Sequence, residues 1–96
     1  MSTLTQLTTT YAARIADIIG ASRASRPTTP EQFIQLVEDA ASSLRFSALE
    51  ELQEASEDLD TAADELRAAT RARSADQDIH LARAETHIRL ALDHAT

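Results

Sequence analysis

Residues 47–73 read SALEELQEASEDLDTAADELRAATRAR. Within this stretch Leu52, Ala55, Leu59, Ala62, Leu66 and Ala69 recur at alternating steps of three and four. That is the a/d spacing of a heptad, with leucine at one seam position and alanine at the other. The spacing predicts a long amphipathic helix over 48–72 with a thin apolar stripe. Between Phe46 and Arg67 the chain holds eight acids and no base: Glu50, Glu51, Glu54, Glu57, Asp58, Asp60, Asp64 and Glu65. Arg67, Arg71 and Arg73 follow at the far end. Acid early and base late complements the helix dipole.

Downstream, Leu81, Ala84, Ile88, Ala91 and Ala95 form a matching seam. The intervening turn is very short, so this helix, expected over 75–95, should fold back antiparallel on its predecessor. Two alanine-bearing seams can approach more closely than two leucine seams. A tight helical hairpin is therefore expected.

Upstream, Phe33, Val37, Ala40, Ala41 and Leu44 share one helical face, with Ile34 and Leu36 at its edges. Leu4, Leu7, Tyr11, Ile15, Ile18 and Ile19 share another. The run Thr8–Thr10 is β-branched and lowers helix propensity there. Ser or Thr followed three residues later by Glu or Gln marks a capping box. It occurs at Thr3/Gln6, Thr29/Gln32, Ser47/Glu50 and Ser74/Gln77, each before a fresh apolar period. Pro30 suits a first helical position, where a missing N–H costs nothing. The reading is four helices, at about 4–22, 30–45, 48–72 and 75–95, with a loop over 23–29. A continuous helix through Phe46 is the alternative; the Ser47/Glu50 pair and the position of Phe46 off the apolar face favour a break. The fold class is all-α, a small antiparallel helical bundle in one domain.

Composition narrows the functional classes. There is no cysteine, hence no disulfide framework and no thiolate site. One glycine and two prolines leave little material for a phosphate-cradling loop. All nine basic residues are arginine and the formal net charge is -7. Such a chain repels a phosphate backbone, so direct nucleic-acid binding is not expected. No apolar run approaches a membrane span, and the first ten residues are polar and uncharged, unlike a signal peptide. A cytoplasmic location is the expectation.

Three features are candidates for function. The acidic face of the third helix, Glu50 to Glu65, is either a solvated surface partly paired with Arg14, Arg23 or Arg45, or a docking surface for a basic protein. On the last helix Ile79, Ala82 and Leu90 lie nearly opposite the seam. They either pack under the first two helices or form a self-association face. His80, His87 and His94 are spaced by seven, about 10 Å apart along the axis, which is too far for two to share one ion. A metal site would need Asp76 with His80, or His87 with acids from another helix. The expected reading is three boundary histidines on a half-exposed edge.

Nothing in the chain points to catalysis, since nucleophile motifs are missing and the carboxylates look solvated. No cofactor is expected. Tyr11 should be a core residue with its hydroxyl at the rim, and Phe33 and Phe46 are expected as core anchors. The leading function is a non-enzymatic protein–protein interaction module. The alternatives are an acidic nucleic-acid mimic that inhibits a basic protein, and a metal-binding helical bundle.

Overall fold

The computed structural model describes residues 3–20, 27 and 29–95. Four helices follow in order: α1 Leu4–Ile18, α2 Pro30–Arg45, α3 Glu50–Arg71 and α4 Ser74–Ala95. Each packs on its sequence neighbour, and α4 returns to touch α1, so the helices close a ring. The α3–α4 contact is the most extensive, as the paired heptads require. One hydrophobic cluster draws on all four helices, with Phe33, Leu7, Ile15, Leu59, Leu66, Ile88 and Val37 fully enclosed.

Two of the four expected helix starts form as read. Thr3 Oγ1 accepts from the Gln6 N–H at 3.1 Å, and Gln6 Oε1 accepts from the Thr3 N–H at 2.8 Å. Thr29 Oγ1 accepts from the Gln32 N–H at 3.3 Å, with Pro30 in the first turn. The threonines of α1 return their hydroxyls to the helix: Thr8 Oγ1 donates to the Leu4 carbonyl and Thr9 Oγ1 to that of Thr5. That satisfies groups which would otherwise favour non-helical turns.

The end of α1 is a correction. The helix stops at Ile18 instead of continuing to residue 22; residues 21 and 22 lie outside the described set. The cause is Gly20, which adopts φ +68° and directs its N–H to the Asp17 carbonyl at 3.2 Å. A glycine in this left-handed conformation just past the last turn ends a helix without the penalty a side chain would bring.

The break after α2 is real, but its expected cause is not. Leu49, not Ser47, caps α3, and its side chain makes no cap bond. Ser47 instead ties the corner together: its Oγ accepts from the Leu49 N–H at 3.1 Å, and its carbonyl accepts from Gln53 Nε2 at 2.6 Å. Helix α3 therefore begins at Glu50, two residues later than read. Phe46 is a second correction: expected as a core anchor, it stands 87 % exposed. The Ser74/Gln77 box is replaced likewise. Gln77 Nε2 donates back to the Ala69 carbonyl at 3.0 Å, and the Ala72 N–H donates to that of Ala68 at 3.0 Å. Both bonds close the end of α3, whose last carbonyls lack intrahelical donors. Ser74 turns the chain with φ +53°, an uncommon conformation for a residue with a side chain.

The α3 stripe is also wider than a thin a/d seam. Ser56 and Ala63 are buried beside it, because α2 covers one flank and α4 the other. The Ser56 hydroxyl donates to the Ala41 carbonyl of α2 at 2.6 Å, which satisfies a buried polar group across the helix pair.

Candidate functional site

The eight acids of α3 do not form one face. A helix turns 100° per residue, so a run this dense in acids must distribute them round the axis. Glu54, Asp58 and Glu65 lie along the edge toward α4, where each meets a histidine. His80 Nδ1 is 2.6 Å from Glu65 Oε2, and His87 Nδ1 is 3.1 Å from Asp58 Oδ1. His94 places Nδ1 3.4 Å from Glu54 Oε2 and Nε2 3.8 Å from Asp58 Oδ2. Stepping seven residues forward along α4 while stepping seven back along α3 carries His80–Glu65 onto His87–Asp58, as antiparallel heptads demand; His94 leaves that register and meets Glu54 and Asp58. The histidines therefore sit on a half-buried edge as expected; acids of another helix entered the sequence reading only as what a metal site would need, and the separate pairing of His80 with Glu65 and His87 with Asp58 was not read. The signal was present: acids at 65 and 58 share the spacing of histidines at 80 and 87.

On the opposite edge of α3, Asp60 pairs with Arg45 of α2 at 3.1 Å, and Arg67 pairs with Glu38. Of the arginines expected against the acidic face, Arg45 takes that role. Arg14 borders a cleft on α1 with Asp17, Ile18 and Leu92, and Arg23 lies outside the described residues. Glu50, Glu57 and Asp64 remain on the outer line of α3, exposed and again spaced by seven, with Glu51 exposed in the first turn. They begin directly beside two exposed apolar residues of the α2–α3 corner, Phe46 and Leu49, the latter 60 % exposed.

Ile79 and Leu90 do not pack under α1 or α2. They are 47 % and 42 % exposed, and Ala82 between them is exposed as well. The physical reason is that α3 and α1 meet α4 from the seam side. Tyr11 of α1 reaches α4 at Glu85 and Arg89: its hydroxyl donates to Glu85 Oε2 at 2.9 Å and accepts from Arg89 Nε at 3.1 Å. Tyr11 is thus a core ring with its hydroxyl at the rim, as read. The hydrogen bond to Tyr11, with Glu85 adding its negative charge, raises the Arg89 guanidinium above the usual arginine range.

Asp76 is exposed and joins neither His80 nor His87. Among the described residues no group of three or more His, Asp or Glu side chains is placed to hold a metal ion. A groove of about 440 Å³ beside α1 is lined, among the described residues, by three threonines (Thr5, Thr8, Thr9), Ala12, Ala13 and the two prolines, none of them ionisable. Among the described residues no helix is long and apolar enough to cross a membrane.

These features define a small antiparallel four-helix bundle with two exposed apolar surfaces and an acid line. No protein-family model, curated protein or solved structure matches the chain.

Proposed function

We propose that this protein is a non-enzymatic protein–protein interaction module, an adaptor, small assembly subunit or regulator, and that it docks its partner at the α2–α3 corner. The observation that carries the reading is Phe46, 87 % exposed with Leu49 60 % exposed beside it, at the head of the acid line. Large aromatic side chains are the usual anchors of protein interfaces, because each buries much apolar area with few torsions to fix. The corner is held by the Ser47–Leu49 and Gln53–Ser47 bonds, so little ordering cost falls on binding. Glu50 and Glu51 follow Leu49 directly in the chain and Glu57 lies two turns further along α3, all three exposed. A partner with an apolar socket rimmed by basic residues complements this surface, and the acids steer its approach.

The two alternatives draw less support. A nucleic-acid mimic needs its carboxylates facing outward, and Glu54, Asp58 and Glu65 are turned to histidines while Asp60 is turned to Arg45. A metal-binding bundle needs at least three ligands placed round one ion; Asp58 touches both His87 and His94, yet among the described residues no such group is so placed.

The test is affinity capture from an extract of the producing cell on the immobilised full chain. Wild type is compared with Phe46→Ser/Leu49→Ser and with Glu50→Gln/Glu51→Gln/Glu57→Gln. The expected result is a basic protein held by wild type, released by added salt and lost in both variants. Retention of the same proteins by all three chains, or of none by wild type, overturns the reading.

A further inference from the structure

Between Ala75 and Leu90 the outer face of α4 is uncharged, exposed and self-complementary. Ala75, Ile79, Ala82, Thr86 and Leu90 lie within an arc of about 80° at 100° per residue, and the exposed Asp93 closes the same arc three residues beyond Leu90. None belongs to the buried set, while the opposite arc carries Leu81, Ala84, Ile88 and Ala91 in the core. Ile79 and Leu90 are about three turns apart, with only the small Ala82 and Thr86 between them on that line. A large apolar side chain at each end and small ones in the middle is a surface that a second helix can approach closely.

The pattern favours a second copy over an unrelated partner. A two-fold axis perpendicular to α4, placed between Ala84 and Glu85, exchanges positions 79 and 90. Each Ile79 then meets a Leu90, and the small central residues face each other at the axis. Asp78 and Arg89 each precede one of these apolar residues by one position, so both lie on the same flank of the face. In an antiparallel pair the same flanks come together. Asp78 of one copy then lies about 3 Å along the axis from Arg89 of the other, and opposite charges meet twice. Apolar register and charge register thus agree on one axis, which is what an isologous interface requires. The bond from Arg89 Nε to Tyr11 holds that guanidinium at the flank.

We propose that two copies of this chain pair antiparallel along the outer face of α4, Ile79 of each against Leu90 of the other and Asp78 of each against Arg89 of the other. The stripe is short beside a standard interface of about 800 Å² per partner, so the dimer dissociates in roughly the micromolar range or above. The α2–α3 corner stays free, and each dimer presents it twice.

The test exploits the absence of native cysteine. Ile79→Cys and Leu90→Cys are prepared separately, both at exposed positions that leave the core intact. A mixture of the two chains, treated with a short thiol cross-linker, should give a covalent dimer at least ~10-fold faster than either chain alone. Like residues lie about 16 Å apart in this register, which accounts for the difference. Alongside, light scattering over a concentration series should show wild type shifting from monomer to dimer. Asp78→Arg should weaken the dimer about 10-fold, and Asp78→Arg/Arg89→Glu should restore it. Equal cross-linking by all three samples overturns the proposal, as does a wild type that stays monomeric into the millimolar range. A dimer lost in Phe46→Ser/Leu49→Ser but kept in Ile79→Ser/Leu90→Ser would also overturn it, since the second copy would then occupy the corner.

Discussion

The hairpin of α3 and α4 depends on alanine at positions where the two helices approach, and substituting Ala84 by leucine tests that dependence. Ala84 lies fully buried on the α4 seam. Leucine there adds three carbons to a site with no space for them, and helix propensity barely changes. Overpacking a well-filled core costs about 1–3 kcal/mol. An unfolding entropy of ~2.1 cal/mol/K per residue over 96 residues is ~0.2 kcal/mol/K, so the melting midpoint should fall by ~5–15 °C. The matched control is Ala82→Leu, two residues away on the exposed face of the same helix, which should move the midpoint by less than ~2 °C. Far-ultraviolet circular dichroism follows both melts, at low protein concentration so that association does not contribute. If Ala84→Leu melts with wild type, small seam residues do not set the helix separation, and the argument from alanine spacing fails.

Three further outcomes follow from the packing. Ser56→Ala removes the hydroxyl bridge from α3 to the Ala41 carbonyl and should cost about 0.5–1.5 kcal/mol in urea unfolding, although a serine-to-alanine change favours helix. Ser74→Gly relieves a positive φ and should raise stability by up to ~1 kcal/mol, net of the entropy glycine adds to the unfolded chain; a lower midpoint would show that Ser74 carries no strain. Asp58→Asn removes the carboxylate between His87 and His94 and, in buffer acidic enough to protonate the imidazoles, should cost about 0.2–1 kcal/mol at low ionic strength, the loss shrinking in high salt. A loss independent of salt would mean Asp58 acts through packing instead of charge.

The candidate surfaces were legible to different degrees. The eight acids were found as a run, but their division could not be read from the run itself. Glu65 and Asp58 face histidines only because α4 packs on that edge, and Asp60 is held only because Arg45 ends α2 on the other. Phe46 was misplaced for the same reason: a large aromatic is assigned to a core by default, and only the corner geometry shows that no helix covers it. Ile79 and Leu90 were correctly set apart from the seam. Whether a neighbour covered them depended on where α1 lay.

What the sequence determined by itself was local and periodic. Heptad spacing, the Thr3/Gln6 and Thr29/Gln32 caps, Pro30 and the short α3–α4 turn specify four helices and an antiparallel hairpin, because each works within a few residues along the chain. The tertiary structure decided what lies across from each helix. That set the wider buried flank of α3 at Ser56 and Ala63, the histidine–carboxylate pairs along the α4 edge, and the exposed residues Phe46, Leu49, Ile79 and Leu90. A side chain's angle about its own helix follows from its position in the chain. Whether another helix occupies that angle is a matter of packing between residues far apart in sequence, and no periodicity encodes it.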